Sequence, residues 1–125
     1  MAMDTSINIL IVDDFATMRR IIKGVLKQLG FSNLVEAVDG ENALEELRKG
    51  KIDLIVSDWN MPNMTGLELL KIVRADKNLK NIPFLMVTAE GQKESVLKAV
   101  QAGVSNYIVK PFTPETFNAK LQKIF

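Results

Sequence analysis

The chain has 125 residues and a net charge of +1, a length that supports one domain with a sizeable core and leaves too little for a second. Charged residues make up 25% and hydrophobic residues 47%, the balance of a soluble globular protein and no case for bulk nucleic-acid or membrane binding. Cysteine and histidine are both absent, which excludes disulfides, thiolate nucleophiles, zinc–cysteine sites, Ser-His-Asp catalysis and histidine metal ligation.

Helical and strand patterns alternate along the chain. Residues 7–12 form an apolar strand interrupted only by Asn8. Met18, Ile21, Ile22, Val25, Leu26 and Leu29 then follow helical spacing, and Gly30 closes that helix. Gly24 interrupts it at a cost of about 1 kcal/mol relative to alanine, for no reason visible in the sequence. Residues 34–37 are a short second strand, and Ala43, Leu44 and Leu47 mark a helix closed by Gly50. Residues 54–57 are the third strand, and Leu67, Leu70 and Val73 share one face of a third helix. Pro83 precedes a fourth strand over residues 84–87, and Val96, Leu97 and Val100 mark a helix ended by Gly103. Residues 106–109 are the fifth strand. Thr113 caps a last helix with Pro114 in its first position and Phe117, Leu121, Ile124 and Phe125 as its buried stripe.

Five strand–helix units predict an α/β fold, a doubly wound parallel sheet with helices on both faces, in one domain over residues 1–125. The first, third and fourth strands are apolar throughout and belong in the centre. The second carries Glu36 and the fifth carries Asn106 and Tyr107, so these are edges. Right-handed crossovers then give strand order 2-1-3-4-5, a flavodoxin-like (βα)5 arrangement. In such sheets ligands bind beyond the carboxyl ends of the strands, where the chain reverses direction between strands 1 and 3.

Polar side chains collect at that edge. Asp13 and Asp14 follow the first strand, Asp58 the third, Thr88 the fourth and Lys110 the fifth. Three carboxylates, a hydroxyl and an ammonium suit a divalent cation and a phosphoryl group. Two unit charges 4 Å apart repel by about 4 kcal/mol at an effective dielectric of 20, and Mg²⁺ would relieve that strain, with Mn²⁺ as the alternative. Asp58 is the candidate nucleophile, able to form an aspartyl-phosphate. Thr88 would donate to a phosphoryl oxygen. Lys110 stands before Pro111, a pair in which a cis peptide would aim the lysine inward.

Val12-Asp13-Asp14, Ser57-Asp58-Trp59-Asn60-Met61-Pro62, Val87-Thr88-Ala89-Glu90 and Val109-Lys110-Pro111-Phe112 together resemble the signature of bacterial two-component response-regulator receiver domains, over essentially the whole chain. Asp14 to Arg20, Trp59, Asn63-Met64 and Gln101-Ala102-Gly103 leading to Tyr107 are similar to the chemotaxis branch of that family. Thr65 departs from the acidic residue or glycine common before Gly66. The resemblance implies a phosphoacceptor signalling protein, not a substrate-turning enzyme. Asp58 would take phosphate from a sensor histidine kinase of chemotaxis. Asp13, Asp14, Asp58 and the Asn60 carbonyl would hold magnesium. Thr88 and Lys110 would contact the phosphoryl group, and Asn60 and Glu90 would tune its hydrolysis.

It further implies a switch in which Thr88 is drawn inward and Tyr107 fills the space behind it. The partner surface would comprise Gly91, Lys93, Val96, Tyr107, Val109, Phe112 and Lys120, with Phe112 an exposed loop aromatic. The expected partner is the flagellar motor switch protein, with a dedicated phosphatase as a further one and no nucleic acid or membrane. A cytoplasmic monomer is the expectation, since no apolar run nears the roughly 20 residues of a membrane span and the N-terminus lacks a signal-peptide pattern. A receiver of another two-component pathway, stand-alone or truncated, is the alternative. A magnesium-dependent aspartyl-phosphate phosphatase fits less well, because its Asp-x-Asp pattern and cap domain are missing. Phosphate-binding Gly-rich motifs are absent too.

Overall fold

The computed structural model describes residues 4–89 and 93–125, with Lys93 and Glu94 described by backbone alone. Five strands and five helices alternate: β1 (Asn8–Val12), α1 (Ala16–Gln28), β2 (Asn33–Ala37), α2 (Gly40–Arg48), β3 (Leu54–Asp58), α3 (Gly66–Ala75), β4 (Phe84–Thr88), α4 (Lys93–Gln101), β5 (Asn106–Val109) and α5 (Pro114–Ile124). All neighbouring strands are parallel, in the order β2-β1-β3-β4-β5. The central strands are the apolar ones, as expected of a sheet covered on both faces.

Strand alternation divides the core in two. Leu10, Val12, Ile55, Phe84 and Met86 face α2 and α3, where Ala43, Leu44, Leu47, Leu69, Leu70 and Val73 cover them. Ile9, Ile11, Leu54, Val56, Leu85, Val87 and Ile108 face α1 and α5, meeting Ile22, Leu26, Phe117 and Leu121. Gly30 follows α1 with φ +103°, a left-handed backbone that suits glycine at a helix end. Thr113 caps α5 by accepting from the Thr116 amide. Thr65 caps α3 through a reciprocal box with Glu68, so its departure from the family pattern has a local use.

Some predicted faces differ. In α3 the buried leucines are Leu69 and Leu70, and Leu67 is only half-buried. In α4 Ala99 is the buried residue, whereas Leu97 is 53% and Val100 58% exposed. Among the described side chains of this short helix, Ala99 alone is fully buried, with Val96 half-buried. Phe125 lies beyond the last turn of α5 and is 51% exposed, so the buried stripe runs through Phe117 and Leu121 and ends with the half-buried Ile124. Open space lies where a side chain on Gly24 would extend, and nothing in the structure explains that glycine.

Candidate phosphoacceptor and cation site

β1, β3, β4 and β5 end together, and their last residues converge. Asp13 is 1% exposed, Asp58 6% and Thr88 5%, while Asp14 is exposed. Oxygens of Asp13, Asp14 and Asp58 all lie within 4.8 Å of one another. The Lys110 ammonium donates to Asp58 Oδ1 at 2.7 Å and stands 4.0 Å from Asp13 Oδ2. The β5 end is tied to β4 by the Lys110 amide donating to the Thr88 carbonyl at 2.8 Å. The Lys110–Pro111 bond is cis. The structure thus brings Asp13, Asp14, Asp58, Thr88 and Lys110 to one edge of the sheet.

Electrostatics follow from this packing. Burial pushes the Asp13 carboxyl up to about 6, aided by the charges of Asp58 and Asp14 and opposed by the Phe15 amide and Lys110. Asp13 Oδ1 accepts from the Phe15 amide at 2.9 Å. Asp13 Oδ2 is buried with no hydrogen-bond partner among the described residues. A buried carboxylate oxygen with no hydrogen bond, and its nearest cation 4.0 Å away, is costly. An all-oxygen donor set with that orphan at its centre fits a hard divalent cation, in keeping with magnesium.

The third strand continues into a loop over residues 59–65. The Trp59 amide donates to the Val87 carbonyl at 3.0 Å, and the Gly66 amide returns to the Trp59 carbonyl at 2.8 Å. Met61 is 7% exposed and anchors the loop in the core. Asn60, between Trp59 and Met61, is exposed. Trp59, Asn60, Thr88 and Ser95 line a small pocket of about 60 Å³ beside the acids.

Tyr107 stands in register with Met86, and Val109 with Thr88, so Tyr107 and Thr88 share a sheet face one pair apart. The Tyr107 ring is half-buried against the core and has the Lys120 ammonium 4.8 Å from its centroid. Val96 and Lys120 are half-buried and Val109 is 36% exposed. Phe112 is not the exposed aromatic expected. It is half-buried, its ring 5.3 Å from that of Phe117, because the chain entering α5 folds it beneath the helix. Glu90 and Gly91 lie outside the described residues, as does the side chain of Lys93.

Two supports of the site were not legible beforehand. Arg19 on α1 donates through Nη1 to the Asp13 carbonyl at 2.8 Å and through Nε to Glu36 at 3.1 Å. Lys23 joins the same carboxylate at 3.3 Å. Burial raises the Glu36 carboxyl, and the bonds and charges of Lys23 and Arg19 outweigh it, leaving a net lowering. The charge of Glu36 was a clue, on the strand next to the one that leads into Asp13 and Asp14 and in reach of Arg19 and Lys23. The second support is Gly66. A Cβ there would overlap the Asp58 carbonyl oxygen and lie 2.9 Å from Met86 Sδ. Glycine therefore lets α3 start directly against the backbone of Asp58.

Sequence and structure comparisons agree with this geometry. The family described as "Response regulator receiver domain" matches residues 9–122. "Chemotaxis protein CheY-3" of Vibrio cholerae is 56% identical over 98% of this chain and 95% of its own length. "Chemotaxis protein CheY" of Pseudomonas aeruginosa is 57% identical over 94% of each. Among solved structures, Vibrio cholerae CheY4 superposes with a TM-score of 0.88 at 37% identity, covering 96% of this chain and 99% of that one. The signal receiver domain of a histidine kinase from Syntrophus aciditrophicus gives 0.85 at 26% identity over 95% and 89%. With its acids, threonine and lysine at the ends of four of its five parallel strands, the chain belongs to the response regulator receiver domain family, and it is a CheY-like member of the chemotaxis kind.

Proposed function

We propose that residues 1–125 act as one receiver unit that takes a phosphoryl group onto Asp58 and thereby changes a protein-binding surface. The observation that carries this is the ion pair of Lys110 with Asp58 beside the orphaned Asp13 Oδ2. Asp13, Asp14, Asp58 and the Asn60 carbonyl would hold magnesium, or manganese in its place. When bound, the cation would offset negative charge on the carboxylates and the phosphoryl oxygens.

The Asp58 carboxylate oxygen attacks phosphorus of a phosphohistidine on the kinase. The new O–P bond forms as the P–N bond breaks, and the electron pair leaves on the imidazole nitrogen. Lys110 holds Asp58 aligned beforehand and pairs with a phosphoryl oxygen afterwards. The Thr88 hydroxyl donates to another. Asn60 and, on the sequence resemblance alone, Glu90 are assigned to tuning the hydrolysis of the acyl phosphate.

Drawing Thr88 toward the phosphoryl group frees space on the face it shares with Tyr107, whose inward movement alters the surface formed by α4, β5 and α5. Val96, Tyr107, Val109, Phe112 and Lys120 are assigned to that surface, with Gly91 and Lys93 assigned to it from the sequence alone. The supported partners are a chemotaxis histidine kinase as donor and the flagellar motor switch protein as receiver of the signal, with a phosphatase as a further one. No helix among the described residues is long and apolar enough to cross a membrane.

Acetyl phosphate with magnesium is expected to add one phosphate to the protein and none to Asp58→Asn. Labelling that survives in the variant would place the nucleophile elsewhere. Beryllofluoride-treated protein should retain the motor switch protein in a pull-down and untreated protein should not. Equal retention would refute the switch.

A further inference from the structure

The loop over residues 59–65 carries Asn60, and its far half rests on a different helix. Met64 lies directly on Gly40, the first residue of α2. A Cβ built on Gly40 would overlap Met64 Sδ and come within 2.9 Å of both Cβ and Cγ. The glycine is present for space and not for backbone freedom, since its φ is not among the positive values.

The rest of the loop has little room to absorb a displacement of Met64. The Met64 amide donates to the Pro62 carbonyl at 2.7 Å, and Asn63 between them takes a left-handed φ of 69°. At its end, the Gly66 amide donates to the Trp59 carbonyl at 2.8 Å, and there is no room at Gly66 for even a Cβ, which would lie 3.0 Å from Trp59 Cα. The chain path from Met64 toward the acids runs back through Asn63, Pro62 and Met61 to Asn60.

We propose that the Gly40–Met64 contact is a positioning device for the cation site: α2 sets the height of the loop, and the loop sets the Asn60 carbonyl. Gly40 and Met64 touch neither cation nor phosphate and act through Asn60. This rests on the reading of the site given above, in which that carbonyl is a ligand.

A double-mutant cycle tests it, with magnesium affinity read by calorimetry and by Trp59 fluorescence. Wild type, Gly40→Ala, Met64→Ala and the pair are compared, with unfolding in chelator as the stability control. Gly40→Ala is expected to weaken magnesium binding about tenfold, the scale of a disturbed ligand support. Its stability in chelator should fall as well, because the added Cβ overlaps Met64, so affinity is read under conditions in which each variant is shown to be folded. On the Met64→Ala background, where Sδ and Cγ are gone and only Cβ stays within 2.9 Å, the same change should cost clearly less than on the wild-type background. At saturating magnesium, Gly40→Ala should reach the wild-type extent of phosphorylation. An equal loss on both backgrounds, or none on either, overturns the proposal. Should Gly40→Ala fail to fold alone, a folded pair with wild-type affinity supports it and an unfolded pair overturns it. Wild-type protein that binds no magnesium sinks the reading of the site, and this device with it.

Discussion

Asp13→Asn should make the metal-free protein more stable. In the folded chain the Asp13 carboxyl is buried, one oxygen lacks a partner, and its pKa stands at about 6 against an ordinary 3.8. An acid with a raised folded pKa holds its proton more tightly folded than unfolded. Its contribution to stability is therefore fully present below about pH 4 and lost as pH rises through about 6. Each pKa unit is worth 1.36 kcal/mol, so the charged carboxylate costs about 3 kcal/mol at pH 7 and above. Asparagine fills the same volume without the charge. In chelator, wild type and variant should match near pH 4, diverge between pH 4 and 6, and differ by up to about 3 kcal/mol at pH 7.5. That corresponds to about 10 °C in Tm for a chain of this size. Urea unfolding at a series of pH values reads the gap directly. Millimolar magnesium should then favour wild type and close it. A variant no more stable at pH 7.5, or a gap independent of pH, would refute the electrostatic reasoning.

Three further outcomes are expected. Lys110→Met removes the ammonium 2.7 Å from Asp58; phosphorylation by acetyl phosphate, followed by intact mass, should slow about hundredfold while magnesium still binds, and a wild-type rate would contradict its role. Gly66→Ala forces a Cβ against the Asp58 carbonyl and Met86 and should cost about 3 kcal/mol in urea unfolding; an unchanged midpoint would show that α3 can retreat. Arg19→Ala gives up its bond to the Asp13 carbonyl and a partly exposed pair with Glu36. A loss of about 1 kcal/mol is expected, and one above 3 kcal/mol would mean that Arg19 holds more of the site than these bonds.

Why the fold could be read from sequence is plain in the central strands. Ile9 to Val12, Leu54 to Val56 and Phe84 to Val87 are apolar at every position, and only a strand covered on both faces requires that. Once their order follows, Asp13, Asp58, Thr88 and Lys110 have nowhere to end but one edge. Periodicity is weaker at the periphery. It shows that α4 has an apolar side without showing how much of it the sheet covers, so Leu97 and Val100 turn out exposed. Phe112 depends on the path of a loop, which no pattern encodes. Gly40 and Gly66 were the least legible, because a glycine required for space reads the same as one required for φ. The Arg19 bond to a backbone carbonyl leaves no mark in the sequence at all.

The most direct test is chemical. Wild-type protein is incubated with acetyl phosphate and magnesium, reduced with borohydride, which converts an acyl phosphate to an alcohol, and mapped by peptide mass. Homoserine at position 58, absent without magnesium, is the result expected. A phosphate that resists reduction, or homoserine at Asp13 or Asp14, would contradict the assignment of Asp58 as the acceptor.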